Sequence, residues 1–197
     1  MIEETIQISQ SVNFNWRTEE ILAVFFGITY VILAAKENIW CWPASAISCS
    51  LYIYINYTEN LPAIAALNLF YLIMAIYGYF MWKKGGVTKI KEWSTLTHAI
   101  IISFGTIALL IIAGYLIYTD ASQEPLLDAL TTVFSIIATY MITKKVVENW
   151  LYWIIIDIVF TYLYLSIELY LTAMLCISYT IIAIIGYFSW IKKMNND

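Results

Sequence analysis

Seven apolar runs, separated by short charged or polar breaks, leave this chain of 197 residues few possible folds. They cover about 20–35, 39–55, 61–82, 98–118, 127–143, 149–166 and 169–190. A helix of about 20 residues at 1.5 Å per residue matches a hydrocarbon core of about 30 Å, and the shorter runs lie at the lower limit. In lipid, backbone N–H and C=O groups must be satisfied internally, so only helices or closed barrels can span it. These runs lack the polar–apolar alternation of barrel strands, and helices are therefore expected. The chain is 62% hydrophobic and 12% charged, whereas soluble domains carry about 25% charged residues. The breaks are as short as Lys36-Glu37-Asn38, Asn56 to Asn60 and Ile167-Glu168, and the longest, Lys83 to Thr97, is loop-sized. The reading is an all-α integral membrane protein, with residues 1–197 forming a single transmembrane domain of seven helices.

Several function classes drop out. No basic, aromatic-interleaved patch suggests nucleic acid, and the net charge of −4 is confined mostly to loops. Cys41, Cys49 and Cys176 lie in apolar runs with no CxxC pair, so they read as small core residues. His98 is the only histidine, and one histidine cannot build a metal site. No GxSxG, HExxH or P-loop is present, which argues against an enzyme and against a self-contained ATP-driven pump. No cofactor is expected. The polar start, Met1 to Trp16 with Glu3 and Glu4, is unlike the basic start of a signal peptide.

Charge orients the bundle. Seven spans put the termini on opposite sides of a membrane. Lys36, Lys83, Lys84, Lys89, Lys91, Lys144, Lys145, Lys192 and Lys193 fall on the side of the C-terminus. Arg17 alone falls on the other, with Glu3, Glu4, Glu19, Glu20, Glu59, Asp120, Glu124, Asp128 and Glu168. The positive-inside rule makes the C-terminus cytoplasmic and the N-terminus external, in the inner (cytoplasmic) membrane of a cell. The sequon Asn56-Tyr57-Thr58 would then face outward, and it reads as chance.

The chain also repeats itself. Glu37-Asn38 opens the second run as Glu148-Asn149 opens the sixth, with Trp42 and Trp153 at matching offsets. Tyr71, Ala75, Gly78, Tyr79, Phe80, Trp82 and Lys84 match Tyr179, Ala183, Gly186, Tyr187, Phe188, Trp190 and Lys192. The offset slips from 111 (Trp42 to Trp153) to 108 (Tyr71 to Tyr179), as a shorter loop between the sixth and seventh runs would produce. The division is repeat 1 over about 20–82, a linker helix over about 98–118, and repeat 2 over about 127–190. Three spans reverse direction, so a parallel second copy needs an odd connector. The 3+1+3 pattern points to the parallel-repeat architecture of SWEET transporters, which hold substrate near the midplane between the repeats.

Trp150, Trp153 and Asp157 fall at i, i+3 and i+7, on one helical face. Asp157 lies eight residues past Asn149, about 12 Å along a helix and near a bilayer midplane. A carboxylate there costs at least about 2.5 to 3.5 kcal/mol unless it faces protein or water, so it is read as functional. Two indoles beside a carboxylate suit a flat cation, through stacking, cation–π attraction and charge pairing. The alternative is a Trp pair anchoring a helix and an Asp bonded to a neighbouring one. Asn149 and Trp42 join the candidates, as do Asn68 and Tyr71 on one face of the third run. Asp128 and Thr132 in the fifth run are expected at an entrance. For Tyr79, Trp82, Tyr187 and Trp190, near the run ends, an interface belt is expected, and Gly78 and Gly186 are expected to allow close helix packing.

The stretch Glu148-Asn149-Trp150-x-x-Trp153-x-x-x-Asp157, preceded by Thr143-Lys144-Lys145, resembles the signature of the PnuC vitamin-precursor transporters. Tyr77-Gly78-Tyr79-Phe80-x-Trp82 is similar to that family's ending of the third span, and Trp42-Pro43 to its early second span. The likeness covers about residues 20–193. It implies a seven-helix SWEET-like protein that facilitates uptake of nicotinamide riboside, or in relatives thiamine, riboflavin or deoxynucleosides, with a cytoplasmic kinase trapping the product. Substrate contacts implied are Trp150, Trp153 and the acid at 157. Nicotinamide riboside members often have Gln at the position of Asn68, Asn at that of Asp157 and Trp at that of Leu127, departures that give thiamine weight as the alternative substrate. A non-transporting receptor or scaffold is the alternative of a different class. Assembly into a homo-oligomer is left open.

Overall fold

The computed structural model describes residues 18–58, 62–83, 89–166 and 170–196. Glu3, Glu4, Arg17, Glu59 and Glu168 of the charge pattern, and Lys84 of the charge pattern and the repeat, lie outside the described residues. Among the described residues, seven helices follow one another: α1 Thr18–Ala35, α2 Cys41–Thr58, α3 Pro62–Lys83, α4 Thr95–Thr119, α5 Pro125–Thr143, α6 Asn149–Ser166 and α7 Tyr170–Met194. Each grows from one of the seven apolar runs. Among the described residues, six are long and apolar enough to cross a membrane, and α2 is the exception. It has 18 residues, with Ser45, Ser48, Ser50 and Asn56 diluting its apolar ones. Those hydroxyls are not left to lipid: Ser48 donates to the Ala23 carbonyl of α1 at 2.8 Å, and Ser50 to Ala46 in its own helix at 2.8 Å.

Local chemistry sets the helix ends. Pro62 and Pro125 open α3 and α5, where a missing N–H is no loss. Ser94 caps α4, its hydroxyl accepting from Thr97 N–H at 3.2 Å. α4 is apolar on all sides and exposes Phe104, Ile107, Ile111 and Tyr115, as a lipid-facing helix would. α1, α2 and α3 pack in sequence, as do α5, α6 and α7, while α1 meets α7, α3 meets α5 and α4 leans on α5.

The α1–α2 and α5–α6 turns are built alike. Glu37 N–H bonds to Ala34 O and Asn38 N–H to Leu33 O; Lys145 N–H bonds to Ile142 O and Val146 N–H to Met141 O. This is the Schellman closure, and Glu37 (φ 57°) and Lys145 (φ 54°) hold the left-handed position normally given to glycine. The matched positions Glu37 and Lys145 differ by 108 in number, as do the helix starts Cys41 and Asn149 and the helix ends Thr58 and Ser166. The expected slip in offset is therefore corrected. Trp42 is the counterpart of Trp150, not of Trp153, and no loop between α6 and α7 is shortened. The two Glu-Asn pairs misled because they do different work. Asn38 lies in the turn, its carboxamide oxygen accepting from Trp40 N–H at 2.9 Å, whereas Asn149 begins α6 and donates to Val146 O at 2.7 Å.

After α3, the chain is fastened to the α5–α6 turn. Lys91 N–H bonds to Lys145 O, and Val147 N–H to Lys91 O. Glu148 accepts from Trp93 N–H at 3.1 Å, and His98 lies between the Glu148 carboxylate at 3.3 Å and the Tyr152 hydroxyl at 3.0 Å. Helix direction places Lys36, Lys83, Lys91, Lys144, Lys145, Lys192 and Lys193 at one end of the bundle, and Glu19, Glu20, Asp120, Glu124 and Asp128 at the other.

Candidate substrate cavity

A cavity of about 210 Å³ opens between the α1–α3 and α5–α7 groups. Six of the nine residues singled out in the sequence line it: Trp42, Asn68, Tyr71, Trp150, Trp153 and Asp157. The other three do not. Asn149 is buried at the start of α6, where it ties off the turn. Asp128 accepts from the Ser122 hydroxyl at 2.5 Å near the start of α5, and Thr132 is half-buried further along that helix.

Asp157 stands half-way along α6, and its residue is 6% exposed. Among the described residues, no hydrogen bond or ion pair reaches its carboxylate; the Thr161 hydroxyl donates to its backbone carbonyl instead, at 2.7 Å. Acids at membrane depth are paired or solvated, and this one is left for whatever enters the cavity. Asn68 donates to Ile64 O in its own helix at 3.0 Å, and the Tyr71 hydroxyl meets the Ser135 hydroxyl at 2.7 Å across the α3–α5 contact.

Tyr30, Ser45, Ser48, Tyr52 and Tyr179 also line the cavity, and none was among the sequence candidates. One signal for them was present. Ser45, Ser48 and Tyr52 fall at i, i+3 and i+7, a hydroxyl stripe on one face of α2.

Trp42 and Trp150 close one end of the cavity, each 1% exposed. Gly78 and Gly186 admit them: a Cβ on Gly78 would lie 2.5 Å from the Trp42 ring, and one on Gly186 2.8 Å from the Trp150 ring. Trp82 meets Trp42 edge-on at 5.2 Å between centroids, Trp190 meets Trp150 edge-on at 5.5 Å, and Trp82 and Trp190 are 6.3 Å apart. This corrects the interface-belt reading of Trp82 and Trp190. Trp190 is 1% exposed and donates to Ala34 O at 3.1 Å, and Trp82 donates to Thr143 O at 3.2 Å.

Beyond the indoles sits Glu37, its side chain 6% exposed, ion-paired to both Lys145 and Lys193. Burial raises its carboxyl affinity for a proton, but hydrogen bonds and charge from the two lysines outweigh this and hold it below its ordinary 4.5. A carboxyl depressed in the folded state stabilises above the unfolded value and loses that contribution as pH falls through the folded one. Thermal stability in detergent is therefore expected to hold down to about pH 5 and to fall on further acidification. Glu37→Gln should lose part of that acid-dependent fall, which melting curves across pH would check.

The family model described as nicotinamide mononucleotide transporter matches residues 17–192. The chain belongs to this family. It is a family of membrane transporters, not of enzymes, and the chain is accordingly a multi-pass membrane protein. Among relatives, the nicotinamide riboside transporter PnuC of Neisseria mucosa is 27% identical over 192 residues, covering 87% of this chain and 71% of that protein. PnuC of Escherichia coli is 24% identical, covering 88% and 85%. The riboflavin/roseoflavin transporter RibM of Streptomyces davaonensis is 23% identical, covering 74% and 77%. The fold is that of the crystal structure of the vitamin B3 transporter PnuC, with a TM-score of 0.74 and 23% identity over 99% of this chain and 88% of that one.

Proposed function

We propose that this transporter facilitates uptake of nicotinamide riboside down its gradient, without ATP hydrolysis, by holding it in the cavity between two parallel three-helix repeats. The unpaired Asp157 carboxylate carries this reading. A buried acid lining the same cavity as Trp150 and Trp153, ionising against a bound cation, favours a flat aromatic cation over a neutral ligand of similar size. The relatives named for nicotinamide riboside support the choice. Thiamine, also a flat aromatic cation, is the alternative within the same chemistry. The parallel repeat is supported by the two matched turns and by the constant register that runs from them through the helix starts and ends. Of the other site candidates, Asn149, Asp128 and Thr132 would act on the walls and entrance, not on the ligand directly. Trapping by a cytoplasmic kinase would keep the gradient inward.

Purified protein in liposomes should accumulate labelled nicotinamide riboside or thiamine to equilibrium without ATP, and riboflavin, which is neutral, should enter more slowly. No uptake of either cation by folded protein would overturn the reading. Binding without flux would favour a receptor instead.

The orientation follows from charge: N-terminus outside, C-terminus and the 83–97 loop cytoplasmic. Glu92 is exposed in that loop, and the native cysteines are all buried. Glu92→Cys should resist an impermeant thiol reagent in intact cells and react in inside-out vesicles; labelling in intact cells would reverse the orientation.

A further inference from the structure

The cavity is closed unevenly. At the end carrying the α1–α2 and α5–α6 turns, polar links cross repeatedly between the α1–α3 and α5–α7 groups. Glu37 pairs with Lys145 and Lys193, Trp190 bonds to Ala34 O, Trp82 bonds to Thr143 O, and Lys144 donates to the Tyr77 hydroxyl at 2.5 Å. The Lys145 ammonium also lies 4.8 Å from the centroid of the Trp82 ring. At mid-depth the Tyr71 and Ser135 hydroxyls meet across the α3–α5 contact, and at the opposite end, among the described residues, no ion pair or side-chain hydrogen bond joins the two groups.

Glu37 and Lys145 occupy the same position of two identical turns, yet they carry opposite charges and touch each other. Two equivalent positions of a two-fold repeat can meet only at the axis that relates them, so this pair sits on the line along which the halves would part. The floor beside it is not fully satisfied. Among the described residues, the buried indole N–H groups of Trp42 and Trp150 have no partner. Unpaired buried donors disfavour the closed arrangement and would gain water on opening. Closure therefore depends on the links that cross the axis.

We propose that Glu37, clasped by Lys145 and Lys193, is the latch that keeps the cavity shut at this end, and that its release lets substrate leave there. Glu37 acts through the tryptophan floor and is a positioning residue, not a ligand contact. Lys145 is fixed from behind by the Lys91 pairing, so the moving partner is the α1–α2 turn or α7, whose Lys193 is 50% exposed. The latch rests on the transport reading but on no particular substrate.

The test uses Cys49, a cavity-lining thiol, as sole cysteine after Cys41→Ala and Cys176→Ala. Reaction with a small, charged, impermeant methanethiosulfonate is timed in right-side-out and inside-out membrane vesicles, with melting temperature measured alongside. Glu37→Gln and Lys145→Gln should each raise the labelling rate at least about tenfold from the face carrying the turns, and leave the other face unchanged, as a shift toward the open population requires. Lys193→Gln, a half-exposed site that should fold readily, should give a smaller rise from the same face. Unchanged labelling in folded Glu37→Gln and Lys145→Gln, or an equal rise from both faces, would overturn the latch. A drop in melting temperature without a one-sided rise would mark these residues as structural only. If the first two variants do not fold, Lys193→Gln decides by the same criterion. Because labelling needs no substrate, one-sided labelling with no vitamin uptake would sink the nicotinamide riboside reading and leave the latch standing.

Discussion

Asp157→Asn is expected to leave a folded protein that binds and transports nicotinamide riboside about 10- to 100-fold more weakly, with riboflavin affected far less. The amide keeps the size and the ability to hydrogen-bond but removes the charge. A hydrogen bond to a charged group contributes about 1.5–3 kcal/mol, and about 1.4 kcal/mol is tenfold in affinity. The full attraction of two charges 4 Å apart, about 4 kcal/mol at an effective dielectric of 20, is the upper bound. Melting temperature should hold or rise, since an unpaired buried carboxylate is being removed. Titrations with the cation and with riboflavin, read beside melting curves, check this. Equal losses for both ligands, or a lower melting temperature with unchanged affinity, would reduce Asp157 to a packing residue.

Gly78→Ala should be the most damaging small substitution. The added methyl would lie 2.5 Å from the six-membered ring of Trp42. That indole has little room to retreat, with Trp82 edge-on at 5.2 Å and Tyr30 at 6.1 Å. Overpacking a filled core costs about 1–3 kcal/mol, and here the displaced group is also the cavity floor. A lower melting temperature together with lost uptake is expected. Gly186→Ala should act in the same direction but less, because its Cβ would meet the Trp150 ring at 2.8 Å. Wild-type melting and uptake in both variants would show that the floor yields without consequence.

Much of this protein was legible in its sequence. The seven runs became the seven helices of the described residues because lipid leaves the backbone no other open solution, and burial in lipid needs no particular partner. The i, i+3, i+7 spacing put Trp150, Trp153 and Asp157 on one face because helix geometry is local. The lysines gather at one end of the bundle for the same reason, since alternation of direction follows from counting spans. What could not be read was which faces meet. The Glu-Asn dipeptides set Trp42 against Trp153, whereas the turns align it with Trp150; identical residue pairs can serve opposite sides of a helix start. Ser45, Ser48, Tyr52 and Tyr179 reach the cavity only because α2 and α7 turn those stripes inward. Trp82 and Trp190 looked like interface anchors from their place near run ends, and became a floor once α1 met α7 and α3 met α5. Glu37 and Lys145 are ordinary loop charges in the sequence, one in the first half of the chain and one in the second. Only packing of the two halves could bring such distant charges together out of water.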